Sequence, residues 1–147
     1  MTGLTHKKIL VVEDNEDQRR MMQVALQQSG YAITGVSGAQ HALLYAELSA
    51  PDLILLDLTL ASNVDGWEVL KRLKANHQTA SIPVMMVSAA IDESCIKQAR
   101  ADGADDYLIK PFEISELLLR VERILASRSM TAQEEQQFSR DSENAGA

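Results

Sequence analysis

The chain has 147 residues, 46% of them hydrophobic and 24% charged, enough for one soluble domain with a real core. Its net charge of −7, without a run of Lys or Arg, argues against a surface that neutralises nucleic-acid phosphates. No apolar stretch nears the roughly 20 residues of a membrane helix, and a single cysteine, Cys95, excludes an internal disulfide framework and a zinc cluster alike.

Strand-length apolar runs alternate with helical patterns. Lys8 to Val12 reads as a first strand, and Asn15 to Ser29 as a helix with Met21, Val24 and Ala25 on one face. Asn15 and Gln18 suit a capping box at its start, and Gly30 a stop. Tyr31 to Val36 is a weaker strand, Ala39 to Leu48 a helix, and Pro51-Asp52 a break before a third strand, Leu53 to Asp57. Gly66 opens a helix whose Val69, Leu70 and Leu73 repeat at helical spacing. Ile82 to Ser88 reads as the fourth strand, Asp92 to Ala101 as a helix stopped by Gly103, and Tyr107 to Lys110 as a short fifth strand. Ile114, Leu117, Leu118, Val121, Ile124 and Leu125 mark an amphipathic last helix.

Five βα repeats imply a parallel sheet with helices on both faces, and near-continuous Val, Ile and Leu in the strands fits burial from both sides. The expected organisation is a flexible lead over residues 1–6, one domain over 7–128, and a disordered tail over 129–147, which is rich in Gln, Glu, Ser and Ala. The stretch from Met1 to Lys8 leads into an apolar run too short for a signal peptide, so a cytoplasmic location is expected.

The chemistry gathers at the strand ends. Glu13 and Asp14 follow the first strand, Asp57 and Ser88 end the third and fourth, and Lys110 ends the fifth. In an open parallel sheet these positions converge on the carboxyl edge, where ligands bind. The first turn lacks the glycines of a dinucleotide loop. Taken alone, the acid pair reads equally well as a solvated helix N-terminus favoured by the macrodipole. Ser88 alone reads as a strand-end hydroxyl bonding nearby backbone. Asp57 is harder to dismiss, because an acid ending an apolar strand is costly without a partner. Three acids together call for a divalent cation or suffer strong repulsion. A carboxylate beside Mg²⁺ and a lysine can attack phosphorus, which points to phosphoryl chemistry on aspartate.

The segments Ile-Leu-Val-Val-Glu-Asp-Asn, Pro-Asp-Leu-Ile-Leu-Leu-Asp-Leu, Asp-Gly-Trp-Glu-Val-Leu, Ile-Pro-Val-Met-Met-Val-Ser-Ala and Gly-Ala-Asp-Asp-Tyr-Leu-Ile-Lys-Pro-Phe carry a resemblance. As a set, from about Lys7 to Ser127, the chain resembles the receiver domain of two-component response regulators, of the stand-alone kind found in chemotaxis. The resemblance implies a flavodoxin-like (βα)5 sandwich with strand order 2-1-3-4-5. It implies that Asp57 accepts a phosphoryl group from a histidine kinase or phosphotransfer protein. Glu13, Asp14, Asp57 and the Thr59 carbonyl would then hold Mg²⁺. Ser88 and Tyr107 would match the family's switch pair, Lys110 would bind the phosphoryl group, and Lys110–Pro111 would match its usual cis peptide. The expected readout is binding of a downstream effector protein or a phosphorylation-dependent homodimer, around exposed residues such as Lys97, Gln98, Arg100 and Asp102.

One segment departs from the family pattern. Between Asp57 and Asp65-Gly66 the chain is one residue longer than usual and lacks the customary proline, so the loop is expected to bulge. Ala90, two residues past Ser88, is too small to orient water, which suggests hydrolysis of moderate rate. His6, His41 and His77 fall away from the strand ends, so the phosphohistidine belongs to a partner. The chain reads as a switch rather than an enzyme with turnover. An aspartyl-phosphate phosphatase competes weakly, since that class carries a second Asp where this chain has Thr59. A receiver cut from a longer regulator or hybrid kinase is the other alternative.

Overall fold

The computed structural model describes residues 6–58, 65–90 and 92–127. The elements in chain order are β1 (Lys8–Val12), α1 (Glu16–Gln28), β2 (Ala32–Val36), α2 (Ala39–Ser49) and β3 (Leu53–Asp57). They continue with α3 (Gly66–Ala75), β4 (Val84–Ser88), α4 (Glu93–Ala101) and β5 (Asp106–Ile109), and a fifth helix, α5, spans residues 114–127. All strand pairs are parallel, in the order β2-β1-β3-β4-β5. This is the expected flavodoxin-like sheet.

Strand side chains alternate faces, so each strand feeds two cores. Leu10, Val12, Ile54, Leu56, Val84 and Met86 pack with α2 and α3 through Ala42, Ala46, Val69, Leu70 and Leu73. Ile9, Val11, Leu53, Leu55, Met85 and Val87 pack against Met22 and Leu26 of α1 and Leu117, Val121 and Leu125 of α5. Every residue of β3 and β4 is buried. β2, at the edge, alternates exposed and half-buried positions, which explains its weak sequence signal.

The expected face of α1 needs correction. Met22 and Leu26 are the buried pair, whereas Met21 and Val24 are 39% and 44% exposed. Spacing of apolar residues misled here because α1 carries two overlapping apolar stripes, and Met22 and Leu26, four residues apart, form the one that meets the sheet. Met21 and Val24 instead border a surface groove shared with Ile114. Met21 is therefore not core filling, although Met22, Met85 and Met86 are.

The helix ends follow local chemistry. Asn15 caps α1 by accepting the Gln18 amide at 2.9 Å. Gly30 and Gly103 stop α1 and α4 at φ 97° and 103°, where a side chain would be strained. In each stop the glycine amide and the next one turn back onto helix carbonyls: Gly30 to Gln27 and Tyr31 to Leu26, Gly103 to Arg100 and Ala104 to Ala99. Element bounds differ from the sequence expectation by a residue or two, most at β4, which starts after Pro83 rather than at Ile82. Thr59, the bulging loop and the tail over 129–147 lie outside the described residues.

Candidate functional site

The strand order reverses at β1: α1 leads outward to β2, and α2 leads back to β3 on the other side. The two connections diverge there and leave a crevice at the carboxyl edge. Register then places the polar residues. Val12 pairs with Leu56, so Glu13 and Asp57 emerge together. Asp57 pairs with Val87 and Ser88 with Ile109, and the Lys110 amide donates to the Ser88 carbonyl at 2.8 Å.

Carboxylate oxygens of Glu13, Asp14 and Asp57 lie within 4.8 Å of one another. Glu13 is 1% exposed and Asp57 6%. The Lys110 ammonium reaches in from the end of β5 and donates to Glu13 Oε1 at 2.6 Å and to Asp57 Oδ2 at 3.3 Å. It also donates to Gln18 Oε1 at 2.6 Å. Backbone bonds fix Glu13 further: its amide donates to the Val36 carbonyl and its carbonyl accepts from Arg19 Nη1 at 2.9 Å. Burial, then the Asp57 carboxyl, push the Glu13 carboxyl up to about 7 against the pull of Lys110. Without a cation, then, Glu13 keeps its proton until the pH nears neutral.

The donor set suits a hard divalent cation. Three carboxylates and no imidazole or thiolate select Mg²⁺, Mn²⁺ or Ca²⁺ over softer metals. With two of its three acids buried, this cluster is unlike an acidic surface patch.

Behind the acids runs a second connection. Ser88, 4% exposed, accepts the Ala90 amide at 3.1 Å through Oγ. The Tyr107 hydroxyl donates to the Ala90 carbonyl at 2.9 Å, and the ring lies inward at 7% exposure. Burial raises the Tyr107 phenol above its usual value. A serine hydroxyl accepts and donates at once, so beside the bond from Ala90 its O–H can turn to the Tyr107 hydroxyl, with which it interacts, or to an oxygen at the edge.

Of the seven residues singled out from sequence, Glu13, Asp14, Asp57, Ser88 and Lys110 meet at one edge, Tyr107 joins through Ala90, and Thr59 lies outside the described residues. The Lys110–Pro111 peptide is cis, as expected. His6 bonds toward the Gly30 carbonyl, His41 is exposed on α2, and His77 is exposed just past α3. Asp102 is half-buried and accepts from Gln98, so it is less open than expected. Gln18 was missed. As the residue three past Asn15 it suited a capping box, but its side chain turns to Lys110, and the Asn15 amide donates to Glu13 Oε2 instead. No spacing singles it out, since the acids precede α1 and share no helix face with it.

A doubly wound α/β sandwich with an oxygen-rich acidic site at its switch point defines the class. The response regulator receiver domain model matches residues 9–122, and the chain belongs to that family. It is 39% identical over 127 residues to the alkaline phosphatase synthesis transcriptional regulatory protein PhoP of Bacillus subtilis, covering 86% of this chain and 52% of that one. Among solved structures it is similar to the chemotaxis response regulator CheY4 of Vibrio cholerae, at 28% identity and a TM-score of 0.77, covering 82% of this chain and 99% of that one. It is also similar to the receiver domain of a histidine kinase from Syntrophus aciditrophicus, at 29% identity and a TM-score of 0.75, covering 82% and 91%. The chain spans about half the length of the curated relatives it matches. Receiver domains are signalling switches that bind Mg²⁺ through an acidic pocket and interact with histidine kinases and effectors. Among the described residues no helix is long and apolar enough to cross a membrane.

Proposed function

We propose that this chain is a phosphoacceptor switch, with residues 7–128 as its receiver unit, in which Asp57 takes a phosphoryl group from the phosphohistidine of a kinase or phosphotransfer protein. The observation that carries this reading is the grouping of three carboxylates within 4.8 Å with the Lys110 ammonium 3.3 Å from Asp57. Glu13, Asp14 and Asp57 would hold Mg²⁺, with the Thr59 carbonyl as a fourth protein ligand. Bound there, the cation supplies positive charge that neutralises the carboxylates and the phosphoryl oxygens. Lys110 offers a further point charge to the phosphoryl group, and Ser88 a hydroxyl donor. Through the Ala90 peptide, Ser88 and Tyr107 would bias the surface of α4, β5 and α5 toward an effector protein or a second copy of the chain. The reading involves no nucleic acid or membrane contact by this chain, and a cytoplasmic setting.

The test is labelling by acetyl phosphate with Mg²⁺. Wild-type protein should gain one acid-stable, base-labile phosphoryl group per chain, and Asp57→Asn none. Undiminished labelling of Asp57→Asn sinks the assignment, and catalytic turnover of simple phosphomonoesters would favour a phosphatase instead. A second reading, a receiver carried within a longer regulator or hybrid kinase, is favoured by the half-length match to the curated relatives and by the likeness to a kinase receiver.

A further inference from the structure

Lys110 has three N–H donors, and three side chains take them. Glu13 and Gln18 accept at 2.6 Å each, and Asp57 accepts at the longer 3.3 Å. Since an ammonium only donates, the carboxamide oxygen of Gln18, not its nitrogen, must face Nζ. Gln18 is uncharged, stands on a different element from the acids it joins, and is half-buried. It also forms one wall of a cleft of about 330 Å³ shared with Met21, Ala89, Pro111 and Phe112. Those neighbours are apolar side chains, which offer the ammonium no substitute acceptor.

We propose that Gln18 is a positioning residue: its carboxamide pins the Lys110 ammonium on the side away from Asp57, so that the third N–H is held toward the oxygens of the phosphoacceptor. The inference rests on the reading of Asp57 as phosphoacceptor and goes beyond it, because it assigns a role on α1 to a residue outside the acid cluster. The two short bonds are the fixed points, and the long bond to Asp57 is the one that yields when an oxygen arrives there. Without the carboxamide, the freed N–H has Glu13 and Asp57 to crowd against or the cleft to turn into. Either way the ammonium no longer waits at the reacting oxygen.

Three variants separate this role from simple packing. Gln18→Met keeps the length and loses the acceptor; Gln18→Asn keeps the acceptor and draws it back by one methylene; Gln18→Glu keeps an acceptor oxygen at full reach. The first readout uses metal-free protein: the ¹⁵N ammonium resonance of Lys110, visible when all three donors are held and lost to fast solvent exchange when they are not. It should persist in wild type and Gln18→Glu and vanish in Gln18→Met and Gln18→Asn. The second is the rate of Asp57 labelling by acetyl phosphate with Mg²⁺, which should fall about three- to tenfold in Gln18→Met and Gln18→Asn, with their melting curves unchanged. A resonance that survives in Gln18→Met, or labelling of both variants at the wild-type rate, overturns the proposal. Wild-type protein that takes no label overturns the phosphoacceptor reading, and the proposal with it; labelled wild type beside equally labelled variants overturns the proposal alone.

Discussion

Glu13 is an acid that the fold keeps from ionising. It is nearly inaccessible, its carboxyl titrates at about 7, and the ordinary value is 4.5. Below about 4.5 both folded and unfolded chains hold the proton, and the contribution of Glu13 to stability is fully present. As pH rises from there, the unfolded chain releases the proton first, so stability falls until the folded carboxyl ionises near 7. The full swing is about 3 kcal/mol at most. Urea unfolding in the presence of chelator should therefore show wild type losing stability relative to Glu13→Gln between pH 4.5 and 7.5. A constant difference across that window would mean that burial does not hold the Glu13 proton. With Mg²⁺ bound by the ionised acids the trend should reverse, and the cation should restore stability most above pH 7.

At the scale of elements, the join between β3 and α3 is held closely on both sides. Asp65 caps α3 by accepting the Glu68 amide at 3.0 Å, and the Gly66 amide donates to the Leu58 carbonyl at 2.9 Å. A Cβ on Gly66 would stand 2.2 Å from the Asp57 carbonyl oxygen and 2.7 Å from Leu58 Cα. Both are backbone atoms next to the Asp57 carboxylate, so they cannot yield without moving it. Gly66→Ala should cost about 3 kcal/mol in denaturant unfolding and slow labelling of Asp57 more than that loss of folded protein explains. At the opposite end of the sheet, Ala50 closes α2 with φ 45° just before Pro51. Relief of that left-handed strain should make Ala50→Gly more stable by about 0.5–1 kcal/mol, read as a higher unfolding midpoint. Sequence announced both helix starts and stops, because caps and glycine turns are local events. It could not announce that Gly66 is required by a contact with β3, since that distance exists only once the strand and helix have met.

For the whole molecule, the sheet was legible for a simple reason. Strands buried on both faces must be apolar along their length, so each polar residue at a strand end stood out against its own run. Glu13, Asp57, Ser88 and Lys110 were visible on that ground, and register did the rest. Helices hid more. Amphipathic spacing does not say which of two apolar stripes meets the sheet, so Met21 and Val24 were misplaced while Met22 and Leu26 carry the packing of α1. Gln18 was illegible because a long polar side chain reaches a cap or a distant lysine with equal ease until the tertiary fold sets the lysine beside it. Charge is also a property of the whole. A net −7 repels an anionic phosphodonor over distances that salt shortens. Labelling by acetyl phosphate at saturating Mg²⁺ should thus quicken, by up to about twofold, between roughly 10 and 150 mM KCl; slowing with salt would show instead that local positive charge governs the approach.

The bonds at Ala90 have a consequence for how such a protein can change over generations. Its amide faces Ser88 and its carbonyl faces Tyr107, so a main-chain route joins hydroxyl and phenol beside the direct interaction of the two side chains. That route takes nothing from the side chain of residue 90. A change of side chain at position 90 would thus alter how water or a partner meets the site while leaving both main-chain bonds in place.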